Sequence, residues 1–396
     1  MSSSANAFRS DVTPPASRAR RALFSAGLSH ALHDGYTDAI YIFLPVWQAE
    51  FALGFSALAA LRGLYSGTMA ALQIPAGRLA ERWGARFVLF AGTLLAALGY
   101  AVAGLSGSLL GLCIALAIGG AGSATQHPLA SAAVSNAYGA KARGPLGTYN
   151  FAGDLGKAAL PAIVASLLAV MPWRSVVWVI ATLGVLVALI VWAVMPALGE
   201  TKVPAPVVAQ GKGRGGFGLL LSIGIFDSSV RMGFLTFLPF LLAEKGAGLP
   251  LIGFALTLVF LGGAAGKFAC GWLGGRMGVL ATVLITEIGT AAAILIFLAL
   301  PLTPAMTILP ILGIVMNGTS SVLYGTVPEL VPPGLEARAF ALFYTGTIGS
   351  GALSPVLFGV VGDLAGPSSG AIAAAAAALI TCPLAVILAP RLKTQR

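Results

Sequence analysis

The chain has 396 residues, of which 58% are hydrophobic and 9% charged, and its mean hydropathy is +0.92. Soluble domains are roughly half apolar and a quarter charged, so a soluble or disordered protein is excluded and an integral membrane protein remains. Apolar stretches of about 20 residues recur without strand-like alternation, which excludes a closed barrel in favour of bundled helices. The net charge of +10 implies no nucleic-acid partner, because its bases gather at one side of the predicted spans and read as membrane-surface anchors.

Twelve spans are predicted: 22-46, 57-76, 87-105, 108-135, 144-170, 174-195, 217-243, 250-272, 278-300, 305-328, 338-362 and 368-390. The segment after residues 1-21 is too long and too polar at its centre for a cleavable signal, so those residues are read as an N-terminal tail. An even number of spans puts both termini on one side. That side collects Arg18, Arg20, Arg21, Arg78, Arg82, Arg86, Lys141, Arg143, Arg276 and Arg338, against only Arg174 and Lys245 opposite. The positive-inside rule makes it the cytoplasm, in a multi-pass protein of the cell membrane (the inner membrane of a Gram-negative cell), surrounded by lipid and expected to act as a monomer. Cys113, Cys270 and Cys382 fall inside spans and are odd in number, so no disulfide framework and no metal pair is expected.

Span one carries charge where hydrocarbon is expected. His30, Asp34, Asp38 and Tyr41 follow spacings of four, four and three and share one helical face, while His33 lies roughly 100° round from Asp34. Two carboxylates one turn apart in a low dielectric do not both ionise without a large cost, so one is expected to hold a proton, the property that proton coupling requires. The competing reading is a structural pair neutralised by Lys157 or Arg231. Arg62 and Lys267 are near enough to span ends to snorkel. Gln126 and His127 lie on span four, where Pro128 loosens the helix. Asn150, Asp154 and Lys157 lie on span five; Asp154 and Lys157 form either a salt bridge or part of a solute site. Asp227 and Arg231 on span seven stand four apart, acid first, and pose the same choice. Asn317, Tyr324 and Glu329 lie on span ten or just past it. Glu287 stands alone on span nine with no assigned role.

The two halves repeat. "FLP" occurs at residues 43-45 and 237-239, and "GRLAERWG" from Gly77 meets "GWLGGRMG" from Gly271, both 194 positions apart; "ARGPLGTY" from Ala142 meets "ARAFALFY" from Ala337. The Pro- and Gly-rich stretch 199-216 between them reads as a cytoplasmic linker. The expected organisation is a tail (1-21), an N-terminal six-helix bundle (22-198), the linker (199-216), a C-terminal six-helix bundle (217-390) and a short tail (391-396). Bundles joined this way rock about a site near the bilayer midplane.

"GRLAERWGAR" resembles the signature loop between spans two and three of the major facilitator superfamily. Gly77, Glu81, Arg82, Gly84 and Arg86 stand at its positions, with Ala85 in place of a base; in the second copy Gly275 replaces the acid. The resemblance implies an all-α membrane protein of twelve transmembrane helices in two pseudo-symmetric bundles, working by alternating access, with Glu81 approaching the start of span eleven as a gate. "GSATQHP" (123-128 with Gly122) and "NFAGDLGKAALP" (150-161) resemble stretches of the fosmidomycin-resistance group of efflux transporters, although Asp154 and Leu160 depart from the pattern.

The reading reached is a proton-coupled secondary transporter. It is expected to export a small anionic or zwitterionic solute, with Asp34, Asp38 and His30 handling protons. Tyr41, Gln126, His127, Asn150, Asp154, Lys157, Asp227, Arg231 and Tyr324 are expected at the solute. An organic-anion uptake symporter keeps the fold and reverses the direction. A divalent-metal exporter ranks lower because Lys157 and Arg231 repel cations. A membrane sensor or enzyme lacks support: there is no nucleotide loop and no HExxH, and the one GxSxG match, "GPSSG" at 366-370, lies in a predicted turn. No cofactor and no resident metal are implied.

Overall fold

The computed structural model describes residues 16–197, 215–332 and 335–392; the predicted tail up to residue 15, most of the linker and residues 393–396 lie outside the described residues. The long elements are α1 (Ala16–Phe51), α2 (Phe55–Trp83), α3 (Ala85–Leu105), α4 (Leu109–Ser123), α5 (Gln126–Tyr138), α6 (Arg143–Leu168), α7 (Trp173–Val194), α8 (Phe217–Glu244), α9 (Leu249–Ala299), α10 (Leu302–Leu330), α11 (Glu336–Ala365) and α12 (Pro367–Leu388). They make twelve crossings. Helices α4 and α5 are one crossing interrupted at Ala124 and Thr125, immediately before the first turn of α5, which holds Pro128, and α9 is two crossings joined at Gly278. Ala16 and Arg391 therefore lie on one face, called here the terminal face, and the turns after α1 and α11 lie on the far face.

Helix propensity extends several elements beyond their predicted ends. Helix α1 begins at Ala16, so part of the predicted tail is helical. The predicted loop over 77–86 is mostly helix: Leu-Ala-Glu-Arg are good helix formers, α2 continues to Trp83, and Gly84 alone makes the turn. Gly77, Glu81 and Arg82 thus sit on the last turns of α2, and Arg86 on the first turn of α3. Gly84 has φ 84°, a conformation that a side chain disfavours. Gly278, 194 positions later, has φ 82° and turns the chain at the matching place in the second half. Pro45 in α1 and Pro239 in α8 show the same offset, so the repeat seen in the letters is also a repeat of backbone geometry. Gly366, with φ 85°, opens the turn into α12, so "GPSSG" is a helix start with no nucleophile elbow.

In the first half α1 packs on α5, α6 and α7, and α3 on α4 and α7; in the second α8 packs on α11 and α12, and α9 on α10 and α12. The halves meet mainly through α2 with α11 and α6 with α9, whereas α4 and α5 make no extended contact with α10. On the far face the Phe55 and Ser56 amides and the Ser56 hydroxyl donate to the Asp363 carboxylate of α11. An acid thus captures free N–H groups at the start of α2 and ties the bundles together there. On the terminal face Glu81 has no ion pair among the described residues. Tyr344, about two turns into α11 from that face, is 49% exposed.

Several bases do more than anchor. Arg18 and Arg21 donate to the Ala197, Val194 and Ala193 carbonyls at the end of α7, and Arg86 to the Trp192 carbonyl, where the helix dipole favours a cation. On the far face Lys245 Nζ donates to the Leu298 and Leu300 carbonyls at 3.0 and 2.6 Å. Arg174 there binds Glu50, at 2.5 Å, and the Ser106 carbonyl.

Two predictions follow from this packing. The Arg174 guanidinium, with the Trp173 indole N–H, holds the Glu50 carboxyl below its ordinary 4.5 at a place past the predicted end of span one. A depressed folded-state value means that the stabilisation is present above 4.5 and is lost as pH falls through the lower, folded value. Because Glu50 is partly exposed, Glu50→Gln is expected to cost no more than about 1 kcal/mol at neutral pH. Thermal unfolding of wild type and variant across an acid series should show that gap closing; a gap independent of pH would show that the ion pair is not its source. The second concerns Gly156, where a Cβ would lie 1.9 Å from the Ala31 carbonyl oxygen of α1. Backbone cannot yield there, so Gly156→Ala should destabilise by about 1–3 kcal/mol. Gly67, which meets nothing within 4 Å, should accept Ala without loss in the same melting assay.

Candidate functional site

The shared face of α1 buries His30, Asp34, Asp38 and Tyr41 against α2, α5, α6 and α8. Asp34 is the hub. Its carboxylate lies 3.1 Å from His30 Nε2, 3.6 Å from His127 Nε2 and 3.2 Å from Lys157 Nζ. His30 Nδ1 is 2.9 Å from the Tyr149 carbonyl, which only accepts, so Nδ1 carries a hydrogen. The Nε2–carboxylate contact must then hold a proton of its own, on His30 or on Asp34. The Tyr149 ring stacks on His30 at 4.2 Å, and Gln126 Nε2 donates to the Tyr149 hydroxyl at 2.9 Å. The Lys157 and His127 side chains remain 33% and 40% exposed, which places the outer rim of this cluster against open space. A lysine so deep in a span is tolerable only where water reaches it or a counter-ion meets it, and here a buried counter-ion is present.

Asp38 is compensated less. Its one ion-pair contact among the described residues is Arg62 Nη2 at 3.8 Å. Arg62 does not snorkel: it is 2% exposed, lies 4.5 Å over the Tyr41 ring, and reaches Met232 Sδ of α8 at 3.3 Å. Tyr41 touches the same sulfur at 3.4 Å, so this corner of the site spans both halves.

Two local pairings expected from spacing are absent. Asp154 pairs across the bundle boundary with Lys267 Nζ at 2.5 Å, leaving Lys157 to Asp34, so Lys267 does not snorkel either. Asp227 makes no ion pair with Arg231 in the same helix; it turns into the second bundle toward Glu287 and Thr319. Arg231 is half-buried, has no ion pair among the described residues, and leaves its Nε without a hydrogen-bond partner. Its charge acts on Asp38, Tyr41 and Lys157 across the boundary.

The remaining candidates fall around this core or away from it. His33 faces the interior of the first bundle, with Nδ1 2.9 Å from Ser123 Oγ and Nε2 3.1 Å from Thr93 Oγ1. Gln126 is fully buried and its Oε1 is unpartnered. Asn150, one turn before Asp154 on the same face of α6, is exposed and takes no hydrogen bond or ion pair from the cluster. Tyr324 stacks on Tyr344 at 4.7 Å, within electrostatic range of Arg231 but outside the Asp34 contacts. Of the signature residues, Gly77, Glu81, Arg82 and Gly84 stand at the terminal face away from the cluster, and Arg86 stacks over Trp192 at 4.6 Å.

Spacing alone missed Arg62, Tyr149, Met232 and Gly153. The repeat held a signal for one of them, since "GTY" ends in Tyr149 where "LFY" ends in Tyr344. Gly153 matters because a Cβ there would lie 2.6 Å from His30 Nε2 and 2.8 Å from Asp34 Oδ2. Its lack of a side chain makes room for the cluster. The His30, Asp34 and His127 ligand atoms all lie within 4.8 Å of one another. The Lys157 ammonium shares the Asp34 oxygen that faces His30 and would repel a dication, so the donor set suits an ion-pair network better than a metal.

The family model of the Major Facilitator Superfamily matches residues 23–219 and again 219–396. A "Fosmidomycin resistance protein" of Escherichia coli (strain K12) is 24% identical over 360 residues, covering 86% of each chain. A "Probable L-galactonate transporter" of the same organism is 29% identical over 143 residues, 36% of this chain and 32% of that relative, so the alignment spans about a third of its length. Among solved structures, a bacterial homolog to the human lysosomal transporter Spinster, in an inward-facing and occupied conformation, is similar with TM-score 0.82 and 16% identity, over 97% of this chain and 100% of that one. A human organic anion transporter gives TM-score 0.63 and 18% identity, over 94% and 100%. At these identities the structural likeness speaks for the fold. With both halves matched in turn and a charged cluster held between them, the chain belongs to the Major Facilitator Superfamily and is a membrane transporter of small molecules rather than an enzyme.

Proposed function

We propose that the protein is a proton-coupled exporter of a small zwitterionic or anionic organic solute, acting as a monomer. The terminal face is the cytoplasmic one by the distribution of its bases. The two bundles, 22–198 and 217–390, rock about the Asp34–Asp38 cluster. The observation that carries the reading is the meeting of both signs in one place: Asp34 and Asp38 on α1, Lys157 on α6, and an Arg231 without an ion partner on α8. The solute's anionic group docks on Arg231 and Lys157. A cationic group on it displaces the proton held at Asp34 with His30 or at Asp38, so proton and solute exclude each other and an inward proton gradient drives export. The relatives named a "Probable L-galactonate transporter" and a "Fosmidomycin resistance protein" fit a site of this charge.

One contact favours a second reading. Lys157 already lies 3.2 Å from Asp34, so a plain anion must draw it away and leave Asp34 to be neutralised by a proton. For such a solute proton and anion bind together, which is symport.

The full chain in liposomes with a pH dye in the lumen separates the two. L-galactonate, other organic acids and zwitterionic amino acids are offered from outside to acid-loaded vesicles. A solute that enters while the lumen turns alkaline is exchanged; one that acidifies the lumen is co-transported. Asp38→Asn is expected to reduce gradient-driven accumulation by about 10-fold or more while sparing solute–solute exchange. Undiminished driven flux in both Asp34→Asn and Asp38→Asn would remove this cluster from coupling.

A further inference from the structure

Glu287 is the acid to which the sequence gave no role, and the internal repeat supplies its context. Asp227 and Glu287 stand 194 positions after His33 and Thr93. In the first bundle that node is neutral and satisfied: His33 bonds Thr93 and Ser123, and Thr93 Oγ1 donates onward to the Leu89 carbonyl at 2.8 Å. In the second bundle the same place holds two carboxyl groups in hydrogen-bond contact, 5% and 2% exposed, with the Thr319 and Thr381 hydroxyls against them.

The hydroxyls there have other acceptors besides the acids. Thr286 Oγ1 donates to the Thr282 carbonyl at 2.9 Å, so the 2.7 Å contact between Thr319 and Thr286 takes the Thr319 hydrogen. Thr381 Oγ1 donates to the Ala378 carbonyl at 2.6 Å. A hydroxyl has one hydrogen, so a threonine that donates to a carbonyl or to Thr286 does not donate to an acid at the same moment. Between the two carboxyl groups themselves there is no donor unless one of them carries a proton. The charged or titratable groups facing the pair are Arg231 on α8, Tyr324 on α10 and Cys382 on α12, and none of them makes an ion pair with it. Two carboxylates in contact at this depth, without a bound cation, do not both stay ionised.

We propose that Asp227 and Glu287 hold one shared proton and form a second proton-binding site, inside the C-terminal bundle and separate from the Asp34–Asp38 cluster. Each half of the transporter then has its own proton site. Arg231 lies one helical turn from Asp227 on α8. The inference does not depend on the solute or the direction of transport.

Infrared difference spectra of the full chain in lipid nanodiscs at neutral pH, in choline chloride, test it through two variants. Glu287→Gln should lose one protonated-carboxyl band, because Asp227 alone ionises beside Arg231. Asp227→Asn should lose one ionised-carboxylate band and keep the protonated one, because Glu287 alone retains the proton. Asp34→Asn with Asp38→Asn should leave the Glu287-dependent band in place. Should one of the two variants not fold, the conservative exchange Asp227→Glu or Glu287→Asp takes its place, since the pair should keep one protonated and one ionised band in either. Loss of only ionised bands in both would mean a doubly charged pair, loss of only protonated bands would mean two protons, and disappearance of the band when sodium chloride replaces choline chloride would mean a sodium site; any of these overturns the proposal.

Discussion

A carboxylate in the middle of a membrane has to be met by something, and Asp34 is met by side chains from α1, α5 and α6 at once. Satisfying it dictates much of the surrounding geometry. Helix α6 must approach α1 closely enough for Lys157 to reach, and the absence of side chains at Gly153 and Gly156 permits that distance. His127 must arrive at the start of a fresh helix, and the interruption at Ala124 and Thr125 provides it. Leaving any one of these charges unpaired at such depth costs several kcal/mol, more than most single packing contacts return. The cluster is therefore as much a constraint on the first bundle's fold as a site within it.

The architecture was legible in the letters because it rests on repetition. Apolar runs gave the twelve crossings, and the 194-residue offset gave the halves; Gly84 and Gly278 then turn out to share a left-handed backbone as well as a register. Membership of the cluster was legible for Asp34, Asp38 and His30, whose common face follows from helical period alone. The partners were not. Neighbours in sequence suggested Asp154 with Lys157 and Asp227 with Arg231, but side chains three or four apart on a helix facing two neighbours find better partners across the gap. Asp154 reaches Lys267 on α9, and Asp227 reaches Glu287. Arg62 was misjudged because depth along a helix does not tell whether lipid or another helix lies beside it.

The two halves share a scaffold and differ in the chemistry placed on it. The interior node of the first is a histidine between two hydroxyls, that of the second an acid pair, and the cleft face of α1 is rich in acids where that of α8 presents Met232 and Arg231. Duplication fixes backbone geometry through glycines and prolines, which tolerate little change, whereas polar nodes vary as long as their hydrogen bonds are met.

In the proposed alternating-access cycle, opening the far face requires the bundles to give up the contacts that now hold it. The Asp363 carboxylate on the first amides of α2 is one, and it is strong for a small area because it is charge-assisted and acts on N–H groups with no helical partner. The Asp154–Lys267 pair and the Met232 contacts of Arg62 and Tyr41 are others, and these lie nearer the cluster. A change of charge at Asp38 alters what Arg62 is bound to, and Arg62 is already in contact with the opposite bundle. On the proposed proton-coupled reading, a single side chain, Arg62, links a proton on α1 to α8.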